Sequence, residues 1–599
     1  MKHTLAALTL AAAMAFGRAA YAQQAAPAPA PGATPPAQNA AAPLRVTPVT
    51  DAMLQAPDPA SWLTWRRTTD SHGFSPLDQI TASNVRSLQM VWTRSLAPGI
   101  QEGTPLVHDG IMFFPNPLDV IEAYDAATGD LQWQYRRQLP EDLAKFFPVP
   151  AINRNIAIYD NLIIDTSADD FVFALDASTG KLVWETKILE YQKGAQQTSG
   201  PIIANGKVIS GRGCEPEGGP DACVITAHDA RTGKELWRTR TIAAPGEPGG
   251  DTWGDVPLSE RLHVGTWFIP SYDPVLNMVY FGTSVTSPAP KFLLGGNPQQ
   301  HLYHNSTLAL DVDTGTIVWY YQHLVDHWDL DHPFERLLVD TAVTPNAAEV
   351  PWINPRIRPG EQRRVITGVP GKTGLVYTID RATGEFLWAR PTIRQTVVSR
   401  IDGATGNAVV NPEAIFNKPG DSRFICPNTN GGKNWESSTY SPITNMFYVP
   451  LQNTCMDATA IAENRRNTSL YGIRTDNQIT PGTTNVGTIY AINAETGVTA
   501  WKYEQRAGTT SLLSTQSGLL FGGDANGRFR ALDQRTGKVL WEVNLGSPVT
   551  GYPITFAVNG RQYVVASTGG SLATGGLNRL TPELRPSAGN NLFVFALPN

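Results

Sequence analysis

One phrase recurs along the chain and narrows what it can fold into: an apolar strand, Ala-x-Asp, two residues, Thr-Gly, three residues, then Trp. It reads AYDAATGDLQW ending at Trp133, ALDASTGKLVW at Trp184, AHDARTGKELW at Trp237, and ALDVDTGTIVW at Trp319. TIDRATGEFLW ends at Trp388, AINAETGVTAW at Trp501, and ALDQRTGKVLW at Trp541. A degenerate copy, ITASNVRSLQMVW, ends at Trp92 without Thr-Gly. Successive Trp stand 41, 51, 53, 82, 69, 113 and 40 residues apart. The shorter intervals match the roughly 40–50 residues of a four-stranded propeller blade, and the longer ones leave room for insertions. Asp with Thr-Gly supplies a tight turn between two strands, the glycine taking a positive backbone angle. The Trp then packs its large ring between adjacent sheets. The expected fold is all-β, a single eight-bladed β-propeller with tryptophan-docking repeats over residues 45–599. The final strand, NNLFVFAL at 590–597, has no turn and Trp after it. It is expected to pair into the N-terminal blade and so remove two open sheet edges.

The repeat overrides a count by length. At roughly 150 residues per domain, 599 residues would make about four domains. Net charge is −6 from 47 basic and 53 acidic residues, so no basic field favours nucleic acid or an anionic membrane. Eight of the 15 Trp end a copy of the repeat, which makes them structural staples.

Residues 1–22 read as a secretory signal: Lys2 and His3, an Ala/Leu-rich run, then Ala20-Tyr21-Ala22 at the cleavage site. Residues 23–44 are an Ala/Pro-rich linker. No later segment offers the ~18 apolar residues of a membrane span, so an exported, periplasmic chain is expected. Export permits disulfides. The four cysteines form neither CxxC nor CxxCH, and pairing by neighbourhood gives Cys214–Cys223 and Cys426–Cys455.

The repeat, together with segments outside it, resembles the pyrroloquinoline quinone (PQQ) alcohol dehydrogenases, the quinoproteins, over nearly the whole mature chain. In GRGCEPEGG, Glu215 falls where that family keeps a metal-binding glutamate, and a carboxylate suits a hard cation. In GTWFIPSYDP, Trp267 falls where the family stacks an indole on the quinone. In HLVDHWDLDHP, Asp329 matches the catalytic base, also a metal ligand. Asp331 matches an extra aspartate of lanthanide-using members, although related sugar-oxidising quinoproteins also read WDxD. In GVPGKTGLVYTID, Lys372 matches a cation beside the reactive quinone oxygens, where developing negative charge needs stabilising. The resemblance adds Glu102, Arg154, Thr198, Cys214 and Asn434 as cofactor contacts, Arg154 suiting the cofactor's carboxylates. It also matches Cys426–Cys455 to a disulfide of the methanol-oxidising members.

Three departures stand out. Pro148-Val149 replaces the family's vicinal cysteines. Ser287, or Thr286, replaces an asparagine metal ligand. Thr509 or Thr510 and the SLATGG loop stand where tryptophans narrow the substrate pocket. The resemblance therefore implies PQQ- and metal-dependent oxidation of an alcohol bulkier than methanol, a secondary alcohol, polyol or sugar included. The metal is one calcium or lanthanide ion. With no haem motif, electrons would pass to a separate cytochrome c or similar acceptor. Asp329, with an ordinary pKa of about 3.9, is expected to be ionised and ready as a base. Whether the protein is a monomer or a homodimer is left open. The alternative is a non-enzymatic propeller scaffold of outer-membrane assembly, which would leave the WDLD, GCE and GKTG segments without a use.

Overall fold

A computed structural model describes residues 44–146, 152–215, 218–461 and 472–598. Residues 1–43, which hold the expected secretory signal and most of the expected linker, and Pro148-Val149 lie outside the described residues. Both expected disulfides are present, Cys214–Cys223 and Cys426–Cys455.

Each copy of the repeat forms the last hairpin of a sheet. Strands Val120–Asp125 and Leu131–Arg136 pair antiparallel with Ala123 opposite Trp133. The same pairing sets Ala174 against Trp184, Ala227 against Trp237, Ala309 against Trp319, and Ala531 against Trp541. The small residue of Ala-x-Asp thus makes room for the indole across the ladder. Asp125 Oδ1 accepts from the backbone N–H groups of Ala127 and Thr128, both at 2.9 Å, which closes the turn.

The indole serves the next repeat as well as its own. Trp133 Nε1 donates to Ala177 O at 3.0 Å, Trp237 Nε1 to Val312 O at 2.9 Å, and Trp501 Nε1 to Gln534 O at 2.9 Å. Each accepting residue directly follows the Asp or Asn anchor of the succeeding turn. The ring of each Trp lies on the Thr-Gly glycine of that turn: a Cβ at Gly180 (φ +67°) would sit 2.5 Å from Trp133, and one at Gly233 (φ +73°) 2.4 Å from Trp184. Glycine is needed there for its positive φ and for its bare face.

Among the described residues there are eight sheets of four or five strands, with smaller sheets between them. Strand Asn591–Ala596 pairs with both Gln89–Ser95 and Arg561–Thr568, so the two chain ends share one sheet. Trp541 meets Phe595 of that strand with ring centroids 5.4 Å apart, and the series of dockings returns to its start. The long interval before Trp501 holds the hairpin Val398–Ile401 with Ala408–Val410 and the three-stranded sheet built on Thr454–Ala460. That hairpin turns on a further Asp-x-x-Thr-Gly, in IDGATGN, which carries no Trp; a Cβ at Gly406 would meet Phe386 at 2.5 Å instead. SLATGG, read above as loop, opens the helix Leu572–Arg579.

In an antiparallel sheet alternate connections lie at alternate ends. The Asp-x-x-Thr-Gly turns join the third and fourth strands. Connections entering a first strand, and those joining second to third strands, therefore gather at the opposite end. Every candidate site residue falls in one of these two kinds of connection, or at the start of a first strand. Glu102, Arg154, Thr198, Trp267, Asp329, Asp331 and Asn434 precede the first strands of successive sheets. Glu215, Ser287 and Lys372 come from the second-to-third connections of three consecutive sheets.

Candidate active site

Arg154 is buried and anchors one side of the site. One guanidinium nitrogen lies 2.6 Å from Glu102 Oε2, and another donates to Thr198 O at 2.8 Å. The guanidinium also stacks over the Trp267 ring, 5.3 Å from its centroid. Thr198 donates its hydroxyl to Trp267 O at 3.3 Å. Trp267 Nε1 in turn donates to Asp331 Oδ2 at 3.1 Å. Five of the sequence-derived residues are thereby joined in one chain of contacts.

Lys372 completes it. Its ammonium lies 2.8 Å from Asp329 Oδ1 and 3.5 Å from Asp331 Oδ2, with all three side chains buried. Lys372 N donates to Asp331 O at 2.8 Å, fixing the loop that carries the ammonium against the one that carries the acids. On its other side Lys372 O accepts from Gly432 N at 2.7 Å, which brings in the segment of Asn434. Asn434 spends its amide locally, donating to Asn430 O at 2.8 Å and accepting from Trp435 N at 2.9 Å.

The surroundings push the two aspartates in opposite directions. Burial pushes the Asp329 carboxyl well above the usual carboxylate range, against the pull of Lys372. This corrects the expectation of an ordinary, freely ionised aspartate. Burial also works against the Asp331 carboxylate. Yet Lys372, a hydrogen bond with Asp329, His263 and the Trp267 indole together hold it below its ordinary value. Burial would lower the Lys372 ammonium, but the two acids outweigh that and hold it above its usual range.

Glu215 is buried beside the Cys214–Cys223 disulfide and accepts from Gln196 Nε2 at 3.0 Å. Cys214 O contacts His263 Nδ1 at 2.7 Å. His263, which lowers the Asp331 carboxyl electrostatically, thus links the Glu215 segment to the aspartates. Nothing in its own sequence context marked it. Of the residues offered as asparagine replacements, Thr286 donates its hydroxyl to Pro288 O at 2.8 Å and accepts from the buried Lys291 ammonium at 2.6 Å. Ser287 is fully buried beside it.

These residues fit a polyanionic quinone and a hard cation. Around Glu102 and Arg154, buried donors stand without a protein partner: Arg154 Nε, Gln101 Nε2, and the hydroxyls of Thr550 and Ser567. A surplus of unsatisfied donors suits a guest rich in carboxylate and carbonyl oxygen. Buried acids held by a lysine suit a cation that would share the charge. Among the described residues no group of three or more His, Cys, Asp or Glu side chains is gathered closely enough to hold a metal ion by itself. A cation there would need further oxygens, from Ser287 or from the cofactor.

Comparison with known proteins agrees with this chemistry. The family described as PQQ glucose/ethanol/alcohol dehydrogenase, β-propeller domain, matches residues 62–410 and 504–564. Quinohemoprotein alcohol dehydrogenase ADH IIB of Pseudomonas putida is 31% identical, the alignment covering 92% of this chain and 79% of that protein. Quinoprotein alcohol dehydrogenase PedH of Pseudomonas putida is 30% identical, over 88% and 89%. The solved structure of a europium-containing methanol dehydrogenase superposes with a TM-score of 0.82 at 25% identity, covering 91% of this chain and 99% of that one. The chain belongs to the PQQ-dependent quinoprotein alcohol dehydrogenase family and is an oxidoreductase with PQQ as its cofactor.

Proposed function

We propose that the chain oxidises an alcohol bulkier than methanol to an aldehyde or ketone, with Asp329 accepting the hydroxyl proton. The observation that carries this reading is the buried set Asp329, Lys372 and Asp331, joined through Trp267 to Arg154. Arg154, Thr198 and Glu102 would hold the cofactor's edge, Trp267 would lie against its ring, and Lys372 would face its reactive oxygens. Glu215, Asp329, Asp331 and Ser287 would hold one calcium or lanthanide ion; the europium-containing relative and the second aspartate support the latter. When bound, PQQ takes up two electrons with the alcohol's hydrogen, while the cation polarises the quinone and favours the ionised form of Asp329. Asp329 then holds a proton at a carboxylate oxygen whose burial already favours the protonated state. Lys372 offsets negative charge as it develops.

The wider substrate range rests on small residues at the site end. Thr509 and Thr510 open the strand Thr509–Thr515, and the helix Leu572–Arg579 presents Gly575 to open space. We read the eight sheets as eight blades of one ring. Residues 1–22 are read as a secretory signal, with the mature chain in the periplasm and a cytochrome c or similar protein as electron acceptor. Among the described residues no helix is long and apolar enough to cross a membrane.

The test is dye-linked oxidation by the chain loaded with PQQ and either calcium or a light lanthanide. Turnover in one metal, with secondary or long-chain alcohols ahead of methanol, is the expected result. Methanol or ethanol outpacing all larger alcohols would remove the bulky-substrate reading, and no turnover in either metal would remove the assignment.

A further inference from the structure

Asp329 stands in the left-handed backbone region, φ +63°, which costs a non-glycine residue energy although Asp tolerates it better than most. It lies between two residues whose backbone N–H groups are both taken by one side chain. Asp326 Oδ1 accepts from Trp328 N at 2.6 Å, and Asp326 Oδ2 accepts from Leu330 N at 2.5 Å. Asn305 Nδ2 braces that second oxygen at 3.1 Å and donates to Leu330 O at 3.1 Å as well. Asp326 N donates to His304 Nε2 at 3.1 Å, so the base of the grip is fixed too. Asp326 is fully buried, as are Asn305 and His304.

A buried carboxylate is costly unless hydrogen-bond donors and a nearby positive charge compensate it. Lys291, also fully buried, is the basic side chain whose charge acts on Asp326, although burial works against both charges. Its ammonium donates to Thr286 Oγ1 at 2.6 Å. Lys291 N lies 3.5 Å from His327 Nδ1, so the segment of Thr286 and Ser287 and the loop of Asp329 meet at Lys291.

We propose that Asp326, braced by Asn305, is the positioning residue that holds Asp329 in its left-handed conformation and so aims its carboxylate into the site. The proposal rests on the reading of Asp329 as proton acceptor and metal ligand. Asp326 touches neither substrate nor cofactor; it acts by gripping the backbone on both sides of Asp329. A geometric role makes a specific demand: what matters is the pair of acceptor oxygens, and the negative charge itself matters less.

The experiment compares Asp326→Ala and Asp326→Asn with the parent chain, each loaded with PQQ and calcium. Misplacing a reacting group by about 1 Å costs on the order of 10²-fold in rate. Asp326→Ala is expected to lower kcat at least a hundredfold with KM within about threefold, since the lost interaction orients a reacting group. Asp326→Asn keeps one acceptor and is expected to lose only about tenfold. Terbium binding to the cofactor-free chain, read by tryptophan-sensitised luminescence, is expected to weaken about tenfold or more in Asp326→Ala and much less in Asp326→Asn. Equal losses in the two variants would mean a charge effect and overturn the proposal, as would a kcat within threefold of the parent in Asp326→Ala. If Asp326→Ala does not fold, Asn305→Ala removes the brace alone: a several-fold fall in kcat supports the grip, and an unchanged kcat overturns it. Turnover retained in Asp329→Asn would instead overturn the reading of Asp329, a result independent of the Asp326 series.

Discussion

Lys372 Nζ lies 2.8 Å from Asp329 Oδ1 and 3.5 Å from Asp331 Oδ2, so one buried ammonium offsets two buried acids. Removing it should hurt more than removing a surface charge, because it leaves carboxylates buried without compensation. Lys372→Met is expected to lower kcat by about 10²–10³-fold, the range for losing one electrostatic stabiliser. Lys372→Arg should recover part of that loss, since it restores the charge with a different shape. Steady-state kinetics on the loaded enzyme checks both; equal activity in Lys372→Met and the parent would dismiss the electrostatic role.

Asp329→Asn preserves the size of the side chain but cannot accept a proton. Turnover is expected to vanish while the thermal unfolding transition stays close to that of the parent, because no strand pairing involves the residue. Circular dichroism with dye-linked kinetics separates these outcomes. A Tm far below the parent's would mean the acid is structural first.

The Trp-on-glycine stack predicts a graded cost. Gly246 (φ +83°) is exposed, and a Cβ there would meet nothing within 4 Å, whereas a Cβ at Gly233 (φ +73°) would sit 2.4 Å from the Trp184 ring. Gly246→Ala should cost about 1–2 kcal/mol through backbone conformation alone. Gly233→Ala should add roughly 1–3 kcal/mol for the displaced indole. Denaturant unfolding of the two variants measures the difference, and equal losses would show that the indole does not press on the glycine.

How much could be read from the sequence follows from how local each feature is. Ala-x-Asp-x-x-Thr-Gly-x-x-x-Trp encodes its own turn, cap and ladder partner within 11 residues, so it is visible wherever it occurs. The turn at IDGATGN escaped because its glycine packs on Phe386 and Tyr321 and needs no Trp. Asp329, Asp331, Trp267 and Lys372 were found only through resemblance, since their sequence separation hides that the ring brings them together. Asp326 sat in the same motif yet carried no signal of its own, because its work is done on backbone N–H groups. Lys291 reads as a surface lysine; only its complete burial, with its ammonium on Thr286, reveals otherwise. The helix Leu572–Arg579 was read as a loop because two adjacent glycines in its middle are poor helix formers. One of them is needed: a Cβ at Gly576 would fall 2.1 Å from Asn430.

The two disulfides should separate stability from metal affinity. Cys214–Cys223 closes a loop of sequence separation 9 beside Glu215, and Cys426–Cys455 one of 29. On chain entropy the first stabilises by about 2–3 kcal/mol and the second by about 3–4 kcal/mol. Replacing Cys214 and Cys223 by Ser is expected to weaken terbium binding about tenfold or more, since Glu215 loses its fixed neighbour. The Cys426/Cys455 pair of substitutions should cost more stability and less affinity. Matched titrations and unfolding curves decide, and the reverse order of affinities would place the cation away from Glu215.

Glu436 gives a prediction in pH. It is buried, and burial pushes its pKa from 4.5 to about 7 against the pull of nearby backbone N–H groups and of Lys433. A carboxyl whose folded-state pKa lies above its unfolded one binds its proton more tightly when folded. Its stabilising contribution is complete below pH 4.5 and is lost as the pH rises through about 7. Glu436→Gln, which stays neutral, should therefore unfold at a higher temperature than the parent at pH 8 in the cofactor-free chain. The advantage should shrink as the pH falls and be gone near pH 4.5, where both side chains are uncharged. Thermal unfolding at intervals across that window reads the effect directly. A parent that outlasts Glu436→Gln at pH 8 would show that the ionised carboxylate has a buried cationic partner, with Lys433 the nearest candidate by charge.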